Sequence, residues 1–486
     1  MRLLLHFARF GPYHHARLRA LAELLGPEGW EVTGLETAST DITYAWDEVR
    51  SPETSAGPLV PVRTVFPGRV YEEIFRFEYR RGLIPVLEAL APDAVAVAGW
   101  GTVDARSTLR WCRKKGVKAI IMSETREIDG HRVWWKEKVK SLIMRKAHGA
   151  VVGGRSHRDY LVKLGIPAER IRLGYNVVDN AYFTSEAARW RSAAGGGDAV
   201  GGERSEVGGG DAVGGERSAV GGGDLAGGGR WAVGGGDAGS GGDAVNAVAP
   251  YFLASNRFID RKNLVRLIEA YALYCQSFTA DRQPPTADGP PSTAHQPWSL
   301  CLLGDGPLRE RLFARCHELG LNIIESAPWE FQVDAFAETP DHPPTADRPQ
   351  PTADRPLPSA KGGTPTVFFP GFRQIGELPH FYATAGAFIH PALEEPWGLV
   401  INEAMASGLP VLSGSNVGAA AELIEAGCNG WTFDAWDCAE IAAALRRLSD
   451  LDETQRRDMG LASREILERK VPTAAFGTGM LEILNL

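Results

Sequence analysis

Short apolar runs alternate with longer segments of helical periodicity at both ends of the chain. In the first part, Leu3 to Phe7 reads as a strand, Ala16 to Leu25 as a helix, Ala94 to Ala98 as a strand, Thr108 to Lys115 as a helix, and Lys118 to Met122 and Ala150 to Val152 as strands. The second part repeats the pattern: strand Tyr251 to Ala254, helix Asn263 to Cys275, strand Trp298 to Leu303, helix Leu308 to Leu319, strand Val367 to Phe369 and a buried strand ending at Ile389. It continues with a helix from Leu399 to Ser407 closed by Gly408, strand Val411 to Ser413 and a helix from Gly418 to Ala426. Such alternation predicts parallel sheets with helices on both faces, whose ligands sit at the carboxyl ends of the strands.

The pattern breaks between the two parts. Residues 195–242 hold 22 of the 56 glycines, and Gly-Gly-Gly-Asp-Ala-Val-Gly-Gly-Glu-Arg-Ser occurs at 195 and again at 208. That composition cannot bury enough apolar surface to offset its ordering entropy, so 191–248 reads as a disordered linker. Inserts near 279–297 and 340–365 share Pro-Thr-Ala-Asp and read as surface excursions. The expected organisation is therefore α/β: a domain over 1–190, a second over 249–470, and a terminal helix over 471–486 free to pack back on the first.

Composition narrows the function. A net charge of −8 argues against general nucleic-acid binding, which needs a basic surface. Six cysteines without a Cys-x-x-Cys indicate neither a zinc site nor a disulfide framework, and fit a cytoplasmic protein. His6 and Arg9 break the Leu3-Leu4-Leu5 run, and no window approaches the roughly 20 apolar residues of a membrane span. Between Arg132 and Lys146, Trp135, Val139 and Leu142 recur at helical spacing among five basic residues. This basic amphipathic segment reads as core-packed with a solvated face, or as a peripheral contact with an anionic membrane.

The candidate chemistry is concentrated between Ala387 and Val411. Glu395 precedes the helix and Glu403 lies on it, and eight residues of helical rise separate them by about 12 Å. That is too far for two carboxylates acting on one bond, so they would grip two ends of an elongated ligand. Between them, the amides of Gly398, Leu399 and Val400 open the helix and favour an anion. Carboxylate, anion site, carboxylate suits a sugar nucleotide. In Ser255 to Asn263, Arg257 and Lys262 follow a strand and could bracket a pyrophosphate.

These residues resemble the retaining glycosyltransferases of family 4, which have the two-domain GT-B fold. The resemblance rests on the Glu-x7-Glu spacing with His390-Pro391 and Glu-Ala-Met-Ala-Ser-Gly-Leu-Pro-Val around it. It extends to the Arg-x4-Lys pair, Gly304-Asp305-Gly306-Pro307-Leu308, and Phe369-Pro370-Gly371-Phe372. It implies that Glu395 contacts the transferred sugar and Glu403 the nucleotide ribose, with Gly304, Gly371 and Phe372 also on the donor side. In the first domain the resemblance is thinner. The family commonly has a His where this chain has Ser123-Glu124-Thr125, so no catalytic His carries over; Glu124 is the carboxylate expected near the sugar. Gly11, Tyr13, His14 and Trp100, also at strand ends, complete the expected acceptor side.

The implied activity is transfer of a sugar from a UDP- or GDP-linked donor to a carbohydrate, lipid-linked or small-molecule acceptor, in glycan or glycolipid biosynthesis. Arg257, Lys262, Glu395 and Glu124 would be the catalytic set. The alternatives are a GT-B sugar-nucleotide epimerase and an inactive sugar-nucleotide-binding protein. No cofactor or metal is expected: Asp450-Leu451-Asp452 lies between helical patterns and reads as helix capping.

Overall fold

The computed structural model describes residues 1–42, 60–193, 249–280, 296–330 and 365–486. Most of the linker and both inserts read from the sequence lie outside these residues.

Two seven-stranded sheets, each parallel throughout, form the two lobes. The first contains β1 (Arg2–Phe7), β2 (Glu31–Thr40), β3 (Val62–Val70), β4 (Ala94–Ala98), β5 (Lys118–Ser123), β6 (Gly149–Val152) and β7 (Ile171–Leu173), in the order β3-β2-β1-β4-β5-β6-β7. The second contains β8 (Tyr251–Ser255), β9 (Ser299–Leu303), β10 (Asn322–Ile324), β11 (Thr366–Gly371), β12 (Ala387–His390), β13 (Val411–Gly414) and β14 (Gly430–Phe433), in the order β10-β11-β9-β8-β12-β13-β14. Central strands are covered on both faces, which is why β1 and β8 read as continuous apolar runs with no alternation.

Both sheets reverse strand order beside their first strand, between β1 and β4 and between β8 and β12. A crevice opens outside the carboxyl ends at such a point, because neighbouring connections leave in opposite directions. The two crevices face each other.

The lobes are tied together by exchanged helices. Helix Asn180–Ala193 belongs to the first domain by sequence and runs past its expected end at 190, yet it packs on the second lobe. There Thr184 Oγ1 donates to Ala406 O (2.9 Å) and Arg191 Nη2 to Ser407 O (2.6 Å). In return, helix Ala475–Leu484 lies on the first sheet, with Lys118 Nζ donating to Leu484 O at 2.8 Å. A Cβ on Gly149 would stand 2.5 Å from Ile483, so the close approach of this helix depends on that glycine.

Most expected elements fall within a few residues of those observed. The helix at Gly418 ends at Leu423, three residues early, because Ile424 is extended and Ala426 turns back to bridge Gly430. Of the two aspartates read as capping, Asp452 caps Glu453–Lys470 by accepting from Gln455 N (2.8 Å). Asp450 ends the preceding helix and pairs with Arg446 instead. No helix of the described residues is long and apolar enough to cross a membrane.

Candidate functional site

A cleft of about 640 Å³ lies between the lobes at the two facing crevices. Most of the residues singled out in the sequence converge on it.

On the second lobe, the connection after β8 carries Asn256, Arg257, Arg261 and Lys262, all on the cleft wall. Asp260–Lys262 is a single 3-10 turn, and Asn263 leaves it with φ +60. The Asn263 side chain fixes this turn to the segments after β12 and β14 by donating to Pro391 O (3.1 Å) and Ala435 O (2.7 Å). Lys262 Nζ donates to Glu395 Oε2 at 2.6 Å, and Arg261 Nη2 lies 3.7 Å from Glu395 Oε1. Burial lowers the Lys262 pKa while Glu395 opposes the shift. The proposed phosphate ligand and the proposed sugar ligand are thus paired with each other.

Glu395 leads into the turn at Gly398, whose φ of +99 starts helix Leu399–Ala406. A left-handed residue there suits glycine, and it aims the amides of the first turn into the cleft, where Gly398, Leu399 and Val400 form part of the wall. Gly304 also lines the cleft; a Cβ on it would lie 1.9 Å from Asn256 O, and its N–H donates to Gly371 O at 3.0 Å. Phe372 reaches the cleft, whereas Gly371, with φ +82, supports Gly304 from behind the wall.

Glu403 has no exposed surface on its residue as a whole yet forms the cleft's inner end. Tyr13 OH of the first lobe donates to its Oε1 and Tyr382 OH to its Oε2, each at 2.8 Å. Burial raises its pKa to about 7, against the pull of the two hydroxyls. The two glutamates therefore stand at different parts of the wall with different partners.

The first lobe contributes the loop after β1 and the start of helix Pro12–Leu25. The sequence reading began this helix at Ala16; proline at the first helical position moves it back four residues. Gly11, Tyr13 and His14 all line the cleft. His14 Nδ1 accepts from Gly11 N (3.0 Å), and burial with the neighbouring Arg17 charge lowers its pKa well below 6.5. The ring is neutral, with its proton on Nε2. Glu124, after β5, lines the cleft, and burial raises its pKa, with Arg17 opposing and Glu395 reinforcing the shift. Trp100 is not on the cleft wall: it packs against the cluster around Ile121 and Tyr160, 4.9 Å beneath Lys140 Nζ.

Three residues escaped the sequence reading. Arg17 lines the cleft one helical turn after Tyr13. Asn256 is on the wall with both amide atoms buried and unpartnered among the described residues. His390, whose two ring nitrogens are likewise unpartnered, would have its Nε2 3.5 Å from a Cβ at Gly398. His390-Pro391 was visible as a motif; Arg17 and Asn256 gave no signal of their own. Among the described residues no cluster of His, Cys, Asp and Glu could hold a metal ion.

Two facing parallel-sheet lobes with the cleft at their switch points define the GT-B class of glycosyltransferase fold. Residues 16–182 match the family model described as Glycosyltransferase Family 4, and residues 358–465 match Glycosyl transferases group 1. The chain belongs to the group 1, family 4 glycosyltransferases.

It is 42% identical over 86 residues to probable sucrose-phosphate synthase 5 of Oryza sativa subsp. japonica, covering 17% of this chain and 8% of that protein. It is 37% identical over 110 residues to sulfoquinovosyl transferase SQD2 of Arabidopsis thaliana, covering 22% and 21%. The matches thus span less than a quarter of these relatives' lengths. Among solved structures, it is similar to Anabaena Alr3699/HepE in complex with UDP and glucose (TM-score 0.58, 15% identity, 100% of this chain and 99% of that one). It is also similar to sucrose-phosphate synthase from Thermosynechococcus elongatus (TM-score 0.57, 17% identity, 100% and 98%).

Proposed function

We propose that this protein transfers a sugar from a nucleotide diphosphate donor, with retention of configuration, to an acceptor held by the first lobe. One observation carries the reading: Arg257, Lys262, Glu395, Glu403 and the amino end of helix Leu399–Ala406 line one cleft, bringing together the groups that diphosphate, sugar and ribose would need. A uridine base is the first candidate, since the HepE structure holds UDP and glucose.

Donor binding brings a diphosphate to Lys262, which then exchanges its carboxylate partner for phosphate and leaves Glu395 to the sugar hydroxyls. As the glycosidic bond breaks, negative charge grows on the leaving diphosphate. Arg257, Lys262 and the helix amides then stand where they can stabilise it. Glu124 faces the same space from the acceptor side. A cationic clamp of this kind does the work a divalent metal would do, so activity is expected to be metal-independent.

The test is turnover of UDP-glucose and GDP-mannose with and without excess EDTA. Transfer or slow donor hydrolysis that survives chelation supports the reading, and activity restored only by manganese or magnesium refutes the metal-free clamp.

The helix Trp134–Met144 supports peripheral attachment to an anionic membrane, and with it a glycan or glycolipid pathway at a cytoplasmic membrane face. Trp134 and Leu142 are 71% and 62% exposed, and Lys136 and Lys138 lie beside the exposed tryptophans. An apolar stripe flanked by lysines matches the boundary of an anionic bilayer. Sedimentation with phosphatidylglycerol vesicles but not phosphatidylcholine vesicles, lost in Trp134→Ser/Trp135→Ser, is the expected result.

A further inference from the structure

The first lobe has four buried charged side chains among the described residues, and three of them are paired. Arg9 meets Asp41 at 3.4 Å. Asp104 accepts from Thr37 Oγ1 and Tyr71 OH, each at 2.9 Å. Arg126 binds Asp129 at 2.8 Å and donates to Asn416 O across the cleft at 2.9 Å.

Arg17 differs. It is 1% exposed, and although its guanidinium donates to the Tyr175 hydroxyl, its Nε and Nη2 are both buried and unsatisfied among the described residues. Its close contact is the ring of Tyr175, 4.6 Å from the guanidinium carbon. A ring face and one neutral hydroxyl offset only part of what it costs to desolvate a guanidinium. A guanidinium so placed is complete only with an anion.

The surroundings suit one. Arg17 is on the cleft wall, so a ligand there reaches it. The amino end of its own helix, Pro12–Leu25, lines the same cleft and brings the positive end of the helix dipole. His14, also on the wall, carries its proton on Nε2 and adds a neutral donor. The donor's diphosphate has a cationic set of its own on the opposite lobe, where Arg257, Arg261, Lys262 and the helix amides line the cleft. Glu124 stands between the two sets and feels the charge of both Arg17 and Arg261.

We propose that the acceptor carries an anionic group, a phosphomonoester or a carboxylate, which docks on Arg17 at the amino end of helix Pro12–Leu25 and leaves the rest of the acceptor facing Glu124. The proposal rests on the glycosyltransferase reading above.

Calorimetry on the full chain saturated with UDP tests it, using inorganic phosphate, a hexose 6-phosphate, a hexuronate and the neutral hexose as probes. At least one anionic sugar should bind about tenfold or more tighter than the neutral hexose, a free-energy difference of about 1.4 kcal/mol. The arm that responds, phosphate or carboxylate, identifies the group. Arg17→Met should abolish the preference and leave UDP affinity within about twofold, while Arg17→Lys, which keeps the charge, should retain part of it. If Arg17→Met does not fold, the comparison of anionic with neutral probes on the unaltered protein decides alone. No saturable phosphate binding together with equal affinity for charged and neutral sugars overturns the proposal. So does a loss of UDP affinity in Arg17→Met as large as the loss for the anionic sugar, which would assign Arg17 to the donor. Failure of the unaltered protein to bind any nucleotide diphosphate would instead remove the donor reading on which the proposal stands.

Discussion

Glu395 and Glu403 look equivalent in sequence, two carboxylates eight residues apart on either side of a helix start, but their surroundings are opposite. Glu395 is held by a cation, with Lys262 Nζ at 2.6 Å, and stays beside the open cleft. Glu403 is held by two neutral hydroxyls, Tyr13 and Tyr382, in full burial. One carboxylate is ion-paired at the cleft, and the other, buried between neutral hydroxyls, has its pKa raised to about 7. Spacing set the positions, and the fold set the electrostatics.

That contrast breaks most visibly at Glu395. With a glutamine there, Lys262 loses its ion-pair partner but keeps its place, so UDP affinity should hold or rise. Turnover should fall by about 10²-fold or more, because a contact to the reacting sugar strengthens in the transition state. Measuring kcat beside the UDP dissociation constant checks this. Parallel loss of both would place Glu395 at the nucleotide end with Glu403.

At Glu403 the expected loss is in nucleotide binding. Glu403→Gln should weaken UDP by about 1 to 3 kcal/mol, the range for a hydrogen bond to a charged group. Its raised pKa adds a pH signature. A carboxyl at about 7 when folded and near 4.5 when unfolded binds more protons in the folded state between those values. Its contribution to stability is therefore present at low pH and declines as pH rises from about 4.5 to 7. Thermal melts across that window should show a smaller decline for Glu403→Gln than for the unaltered protein. An unchanged pH dependence would mean that Glu403 is already ionised in the folded state.

The same contrast separates what the sequence could disclose from what it could not. The second lobe's wall was legible because Glu395, Gly398, Leu399, Val400 and Glu403 lie in one stretch, and because Arg257 and Lys262 share the connection after β8. The first lobe's wall is assembled from the segments after β1 and β5, so Arg17 and Glu124 come to one cleft only after the sheet forms. The helix start placed four residues late left Tyr13 and His14 outside the helix whose amino end they form.

In the fold, β2 and β3 went unread for definite reasons. β2 intersperses Thr, Glu and Ser with its apolar positions, and β3 carries Pro67 and Gly68, tolerable because it is an edge strand whose register shifts there. Helix Arg76–Leu90 contains Pro85, which interrupts the helical signal.

The finest test of the contrast is Tyr13→Phe. Tyr13 reaches from the first lobe to Glu403, so its hydroxyl joins that lobe to the carboxylate expected to hold the ribose. Removing it leaves Tyr382 in place and the aromatic ring intact, so the cost in stability should be about 1 kcal/mol, the net value of a typical hydrogen bond. The Glu403 pKa should rise further, because one of the two hydroxyls that favour its charged form is gone. UDP affinity then separates two roles for the contact. If Tyr13 orients Glu403 toward the ribose, Tyr13→Phe weakens UDP about fivefold at pH 7 and less at pH 8.5, where the carboxylate is ionised in both proteins. If Tyr13 instead competes with the ribose for Glu403 Oε1, the same substitution tightens UDP binding. Calorimetric titration of UDP at the two pH values distinguishes these outcomes, and an affinity unchanged at both would show that the cross-lobe hydrogen bond joins the lobes without touching the nucleotide.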